Sequence, residues 1–307
     1  MTLTAPYALQ PAQRPVHLLW RRFLRHRLAV ASLLLLILLA LLALGAPLVA
    51  ALLGHDPNAA DLLERLQPMS LRHPLGTDEL GRDLLSRLLY GGRVSLAVGL
   101  AAALVSAVIG TAFGLIAGYF GGKLDGLLMR LTDGVIALPL LPLLIVLAAV
   151  DLNKLGLPPA IANDESVSLY RMIAIISLVG WTTVARLVRG ATLTLRERDF
   201  VRAALAVGAG PWRIMMVHIL PNAVSPIVVA TTLSVGNVIL LESVLSFLGL
   251  GVQPPAASWG NMLTNAQETI WSAPMLAVYP GLLIFATVIA FNFLGDGLQD
   301  ALDPRSE

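Results

Sequence analysis

Apolar residues run in long stretches with little or no charge at about 28–54, 94–120, 134–150, 172–192, 219–241 and 270–295, and polar residues gather between them. A helix rises about 1.5 Å per residue, so roughly 20 residues cross the hydrocarbon core of a bilayer. The first, second, fifth and sixth runs reach that length. The third carries Pro139 and Pro142 and must extend back towards Leu127, while the fourth needs Arg186 and Arg189 near one end. The pattern predicts an all-α membrane protein with six spans. It divides the chain into an N-terminal segment 1–27, a first span 28–54, a polar segment 55–93, a five-span core 94–296 and a tail 297–307.

Between the fourth and fifth runs lies Arg196 to Pro221, RERDFVRAALAVGAGPWRIMMVHILP. Its start is too polar for lipid and its pattern too regular for a slack loop. Phe200, Val201, Ala204 and Val207 can share one side of a short helix. Gly208 and Gly210 permit a sharp reversal, and Pro211 suits the first turn of a second helix. Trp212, Met215, Met216 and Ile219 then form an apolar stripe at i, i+3, i+4 and i+7. Two readings fit this pattern: a docking element for a soluble partner, or an interfacial helix resting on lipid headgroups.

The second run adds a ladder of small residues, Ala102, Ser106, Gly110, Gly114 and Gly118, at every fourth position. Such a face lets another helix approach to backbone contact. The partner helix could belong to this chain or to another.

Composition supports lipid as the main solvent: 57% of the 307 residues are hydrophobic and 13% charged, with a mean hydropathy of +0.79. The basic pI of about 9.2 comes almost wholly from arginine, Lys123 and Lys154 being the only lysines. These cations flank the spans and form no single patch, which argues against a nucleic-acid partner. Arg14, Arg21, Arg22, Arg25 and Arg27 precede the first span with no acid among them, placing the N-terminus in the cytoplasm. That first run is about twice the apolar core of a secretory signal, which is about 7–15 residues. Six crossings return the C-terminus to the cytoplasm, put 196–218 inside and leave His55–Arg93 outside.

Enzymatic chemistry finds no footing. The chain has no cysteine, no HExxH zinc pair and no GxSxG elbow. Gly122-Lys123 is followed by Leu124, and Ala117 stands where a P-loop needs its first glycine. No catalytic residue and no metal site is therefore assigned. His73, Asp78, Glu79 and Asp83 read as solvated surface, and Leu84, Leu85, Leu88 and Leu89 as the apolar face of a helix on the outer leaflet. Between Asp199 and Glu268 the only acid is Glu242. It reads as the cap of a short outer helix or as a group meeting water. A lone acid makes a weak case for a stand-alone channel or an ion-coupled carrier, which depend on ionisable groups within their spans.

Three stretches resemble the permease subunits of peptide and nickel ABC importers: HPLGTDELGRDLLSRLLYGGRVSL from His73, the 196–221 segment with its Ala203-Ala204…Gly208…Ile219-Leu220-Pro221 pattern, and LSFLGLGVQPPAASWG from Leu245 followed by PGLLIFATVIAFNFLGDGLQDALDPR from Pro280. The likeness runs from about Trp20 to Arg305. It implies the type I importer permease fold, with a cytoplasmic coupling helix between spans four and five, in the bacterial inner membrane. It also implies a homologous second permease subunit, two ATPase subunits that use the ATP, and an external solute-binding protein. Cargo would be peptides, nickel or related small solutes; the chain itself would need no cofactor and would contact membrane lipids. By this resemblance Ala203, Ala204, Gly208, Gly210, Pro211, Ile219, Leu220 and Pro221 couple to an ATPase. Ser106, Gly110, Gly114 and Gly118 pack helices, and Asp78, Gly81, Arg82, Asp83, Glu242, Ser258 and Trp259 are gate or docking candidates on the outer side. The chain departs from the family pattern at Arg202 (a glutamate in relatives), Leu205 (often arginine), Ala257 (often proline) and the polar stretch 151–171.

Overall fold

The computed structural model describes residues 15–150, 154, 158, 165–264 and 266–302. Helix α1 (Pro15–Arg25) leads into α2 (Arg27–Leu44) and α3 (Ala46–Leu53). Helix α4 (Leu84–Phe120) is followed by α5 (Gly122–Ala137) and α6 (Leu140–Ala148). Then come α7 (Glu165–Arg196), α8 (Asp199–Ala206), a run α9 (Pro211–Phe247) and α10 (Met275–Leu302). Among the described residues, five helices are long and apolar enough to cross a membrane, and six spans result if the bent pair α5–α6 is one of them. The described residues are thus mainly helical, with an isolated bridge, Thr77 to Asp83, outside the helices.

Where the helices differ from the apolar runs, a specific residue explains it. The first run breaks at Gly45, because Pro47 opens a new helix in α3. His26 caps the start of α2, its Nδ1 accepting from the Ala29 N–H at 3.1 Å. Helix α4 starts ten residues before its apolar run, at Leu84, because Asp83 caps it by accepting the Ser86 N–H at 2.8 Å. Leu84 and Leu88 are 2% and 4% exposed, packed with Trp259, Leu276 and Ile284; protein, and not a lipid leaflet, covers that face.

The third span is broken. Helices α5 and α6 meet at 85°, since Pro139 can supply no N–H to the turn before it. The fourth is longer than its apolar run because its charges are paired. Arg189 makes a fork on Asp125, Nε to Oδ1 at 2.5 Å and Nη2 to Oδ2 at 2.6 Å. Arg186 reaches Asp133 at 2.6 Å. Arg196 donates to the Gly118 and Tyr119 carbonyls at 3.2 and 3.0 Å, occupying acceptors at the end of α4. The stretch 151–171 falls largely outside the described residues, and its end, from Glu165, opens α7.

The partner of the small-residue ladder is α7 of the same chain. A Cβ on Gly110 would sit 2.5 Å from the Trp181 carbonyl oxygen, one on Gly114 2.6 Å from that of Ala185, and one on Gly118 2.6 Å from Thr192 Cβ. Ser106 packs against Gly180, and the Ser177 hydroxyl donates to the Ala102 carbonyl at 3.2 Å. The two helices therefore touch along backbone for five successive rungs. Helix α9 lies against α4, α7 and α10, while α2 packs on α10 and α4.

Candidate functional site

At one end of the bundle, helix α8 carries Ala203 and Ala204, two of the residues that the resemblance assigns to ATPase coupling. It closes in a Schellman turn: the Gly208 N–H reaches the Leu205 carbonyl at 2.9 Å and the Ala209 N–H the Ala204 carbonyl at 3.0 Å. That turn requires the left-handed φ of +86° at Gly208. Gly210, with φ −71° and ψ 161°, is ordinary extended backbone, so the reversal rests on Gly208 alone. Pro211 then takes the first helical turn.

No separate second helix follows. Pro211–Arg213 passes through a π segment, Ile214–Ile219, directly into the fifth span. Pro221 lies inside this continuous run, where it contributes no N–H. The neighbouring Asn222 side chain donates to the His218 carbonyl at 2.7 Å. The wider π turn also shifts the apolar face. Ile214, Met215 and Ile219 are buried with Val201, Val184, Val188 and Leu115, whereas Trp212 is 70% exposed.

The segment from Asp199 to Ile219 thus has two apolar faces. Val201, with the buried residues of α9, roots it in the bundle. Phe200, Leu205, Val207 and Trp212, 41%, 48%, 89% and 70% exposed, are left uncovered. Ala203 is exposed and Ala204 half-buried. Arg202 bonds Glu197 at 3.1 Å, and Arg196 reaches the same carboxyl at 3.3 Å. Arg202 first, then Arg196, hold Glu197 below its ordinary pKa.

At the opposite end the polar segment folds back on itself. Leu66 N–H bonds the Asp78 carbonyl, Thr77 N–H that of Gln67 and Asp61 N–H that of Leu80. Gly81, at φ +74°, lies so close to the Asp61 carbonyl that any Cβ would overlap it. Asp78 accepts from the Leu80 and Arg82 N–H groups at 2.9 and 3.0 Å and from Arg82 Nε at 2.7 Å. Arg87 Nε lies 3.4 Å from the same carboxylate. His73 is held from both sides, Nδ1 by Asp83 and Nε2 by Glu64, each at 3.1 Å. His73, Asp78 and Asp83 are 5%, 8% and 2% exposed. These residues form a buried polar knot and not the solvated surface expected from sequence. His55 stacks on His73 at 4.5 Å, and His55, His73 and Asp83 stand close enough for a cation. Nδ1 faces Asp83 and Nε2 faces Glu64, so a cation would have to displace one of these contacts to reach a His73 nitrogen.

Glu242 is the centre of this end, and it neither caps a helix nor meets water. It is fully buried. Ser95 Oγ donates to one carboxyl oxygen at 3.1 Å and Ser246 Oγ to the other at 2.7 Å. The Ser258 hydroxyl bonds it as well, and Ser243 lies at 3.5 Å. The cage is extended by Trp259, whose N–H bonds Ser95 Oγ at 3.2 Å and whose indole N–H bonds the Leu88 carbonyl at 2.9 Å. Gly91 and Gly92 make room for that indole, 3.3 and 3.0 Å from where their Cβ atoms would be. The loop after α9 is thereby stitched to α4 through one carboxyl group. Sequence reasoning missed this cage; its one legible sign was Ser246, a helical turn from Glu242.

Glu242→Leu should leave the Ser95, Ser246 and Ser258 hydroxyls without their acceptor. Each buried orphan costs roughly 1–3 kcal/mol, so the purified subunit should melt markedly lower in detergent. Glu242→Gln, retaining one acceptor oxygen, should lose less. Equal melting of the leucine variant and the parent would refute the stitching role.

Residues 110–307 match the family model described as binding-protein-dependent transport system inner membrane component. The chain belongs to that family. Residues 14–68 match the N-terminal transmembrane domain of oligopeptide transport permease C. Over 291 residues the chain is 44% identical to the glutathione transport system permease protein GsiD of Shigella flexneri serotype 5b (strain 8401), covering 95% of this chain and 91% of the relative. It is 40% identical over 288 residues to a protein named as a peptide permease in Brucella suis biovar 1 (strain 1330), covering 93% and 90%. In fold it is similar to a chain of the MetNI methionine ABC transporter in an inward-facing form, with a TM-score of 0.56 at 20% identity, over 71% of this chain and 96% of that one. This family member is a multi-pass inner-membrane permease of an ABC importer, a transport component and not an enzyme.

Proposed function

We propose that the chain forms, with a homologous second permease, the translocation path for small peptides of glutathione size, and that separate ATPase subunits drive it. One observation carries the coupling part of this reading. The 199–214 element is anchored through Val201 and Ile214 while its Phe200, Leu205, Val207 and Trp212 stand uncovered. An apolar knob rooted in a rigid bundle can transmit the motion of a partner that grips it. An interfacial helix would have no need of the buried root. When ATP closes the ATPase dimer, the gripped element carries α7 and α9 with it, switching the path between two accessible states. Arg202, tied to Glu197, gives the ATPase groove a basic neighbour where relatives offer an acid.

The peptide class is drawn from the relatives' names, with the external binding protein performing most of the selection. Arginine-rich α1 and the coupling segment face the cytoplasm in this reading, as do both termini. A tagged chain expressed with its companion subunits should bring down an ATPase, and Phe200→Asp with Trp212→Asp should abolish that recovery while sparing insertion. Recovery unchanged by both charges would argue against the docking surface. The absence of cysteine allows a matching check of orientation. A cysteine at exposed Ala206 should react only from the cytoplasm, and one at exposed Gln253 only from outside.

A further inference from the structure

Halfway along the bundle, the break in the third span opens a cavity of about 260 Å³ between α4, α7 and α9. Its wall is mostly aliphatic, as lipid depth demands, but five polar side chains line it: Ser106, Thr182, Thr183, Ser234 and Asn237. Ser106 is 1% exposed, and its hydroxyl has no hydrogen-bond partner. Among the described residues, the Thr183 hydroxyl and the Asn237 carboxamide also lack partners, and both residues are exposed. Ser234 and Thr182 differ, donating back to the Ala230 and Val179 carbonyls at 2.7 and 3.1 Å.

Helix α5 ends at the same cavity, which Val135, Ile136 and Leu138 line. Pro139 and Pro142 withhold the N–H groups that the Val135 and Leu138 carbonyls would otherwise receive. Leu138 N–H turns back to the Val135 carbonyl at 3.3 Å, and among the described residues no backbone donor reaches the Leu138 carbonyl. A helix C-terminus carries about half a negative charge, and no ionisable side chain lines the cavity to oppose it. An unpaired carboxamide in a span is costly unless a polar guest or a neighbour answers it.

We propose that this notch is a transit site for the cargo, taking hydrogen-bond donors such as the ammonium group or amide N–H groups of a peptide. Asn237 supplies both a donor and an acceptor, the α5 terminus supplies acceptors, and Ser106 and Thr183 supply hydroxyls that can serve either role. With no fixed countercharge the grip is weak, which suits a path that must release what it holds. The 85° break in the third span then has a use: it brings helix-end carbonyls to a depth that an unbroken helix would seal. This inference rests on the importer reading above.

The test uses the complete importer in liposomes, with this chain, its second permease, the ATPases and the binding protein. Radiolabelled glutathione and trialanine serve as cargo. Asn237→Leu should lower uptake about tenfold, the scale of one lost hydrogen bond to a charged group, while stimulation of ATP hydrolysis by the binding protein is retained. Asn237→Ser should recover part of the uptake. Asn237→Cys, unique in this cysteine-free chain, should react with a charged methanethiosulfonate during turnover, and excess trialanine should slow that reaction. Full uptake by the leucine variant would overturn the notch, as would a cysteine that stays unreactive or that cross-links to the second permease in every state. If the parent complex shows no ATP-dependent uptake, the importer reading fails instead, and the two outcomes are separate.

Discussion

Gly114→Val abolishes recovery of a folded subunit, the largest effect expected of any single substitution in the spans. The first added carbon would stand 2.6 Å from the Ala185 carbonyl oxygen, 2.7 Å from Val188 Cβ and 2.9 Å from the Arg189 nitrogen. Overpacking a core typically costs about 1–3 kcal/mol when side chains can yield. Here two of the three obstacles are backbone, so α4 and α7 must part along their whole contact. The Arg189–Asp125 fork, one turn away, would be pulled open with them. Gly134→Ala provides the control. It lies in α5 with nothing within 4 Å of its Cβ position, and alanine favours the helix by up to about 1 kcal/mol. Yield of monodisperse protein and its melting temperature in detergent measure both. A valine variant that purifies and melts like the parent would mean that the rungs do not hold the bundle together.

Gly208→Ile should act on a different property. Nothing stands within 4 Å of a Cβ at this position, so the bundle has room for the side chain. The penalty lies in φ +86°, which costs a non-glycine residue about 1–2 kcal/mol and a β-branched one more. The Schellman turn can relieve that strain only by unwinding the end of α8, and Phe200, Leu205 and Trp212 then lose their fixed relation. The subunit should insert normally and bind its ATPase poorly, with uptake falling below about a tenth of the parent's, roughly the effect of 1.4 kcal/mol. Gly208→Asn should retain much of the activity, because asparagine tolerates the left-handed region. Gly210→Ala should change little. Parallel assays of uptake and of ATP hydrolysis in liposomes distinguish these variants, and normal uptake by the isoleucine variant would show the tight reversal to be dispensable.

Much of the fold was legible because lipid imposes long apolar runs. The regular spans announced themselves, as did the four-residue spacing of Gly110, Gly114 and Gly118. The chain could not say which helix met that ladder, since small residues specify closeness and not identity. Helix ends were harder to read. Leu84 begins α4 because of a single cap at Asp83, and Arg186 and Arg189 interrupt an apolar run whose helix continues because Asp125 and Asp133 neutralise them from α5. Pairs brought together across more than fifty residues leave no local trace.

The candidate site shows the same division. Gly208 could be read as a reversal from its place before Ala209-Gly210-Pro211, and its Schellman turn bears that out. Gly210 carried the same signal without the same conformation, since composition does not report φ. Glu242 was visible as a lone acid, yet three of its four serines come from nearby positions in a crowded sequence and the fourth, Ser95, from another helix. The notch at the α5 break was not foreseen. Pro139 and Pro142 marked a short span, but the cavity arises only when Ser106, Thr183 and Asn237 converge from three helices.

The central claim is that this polypeptide conducts and does not drive. Liposomes holding the purified chain alone, compared with liposomes holding the four-component importer, test it most directly through ATP-dependent accumulation of glutathione or trialanine. The account predicts accumulation and ATP hydrolysis only in the complete assembly, with neither activity in the isolated chain. Uphill transport or nucleotide hydrolysis by the chain alone would contradict it.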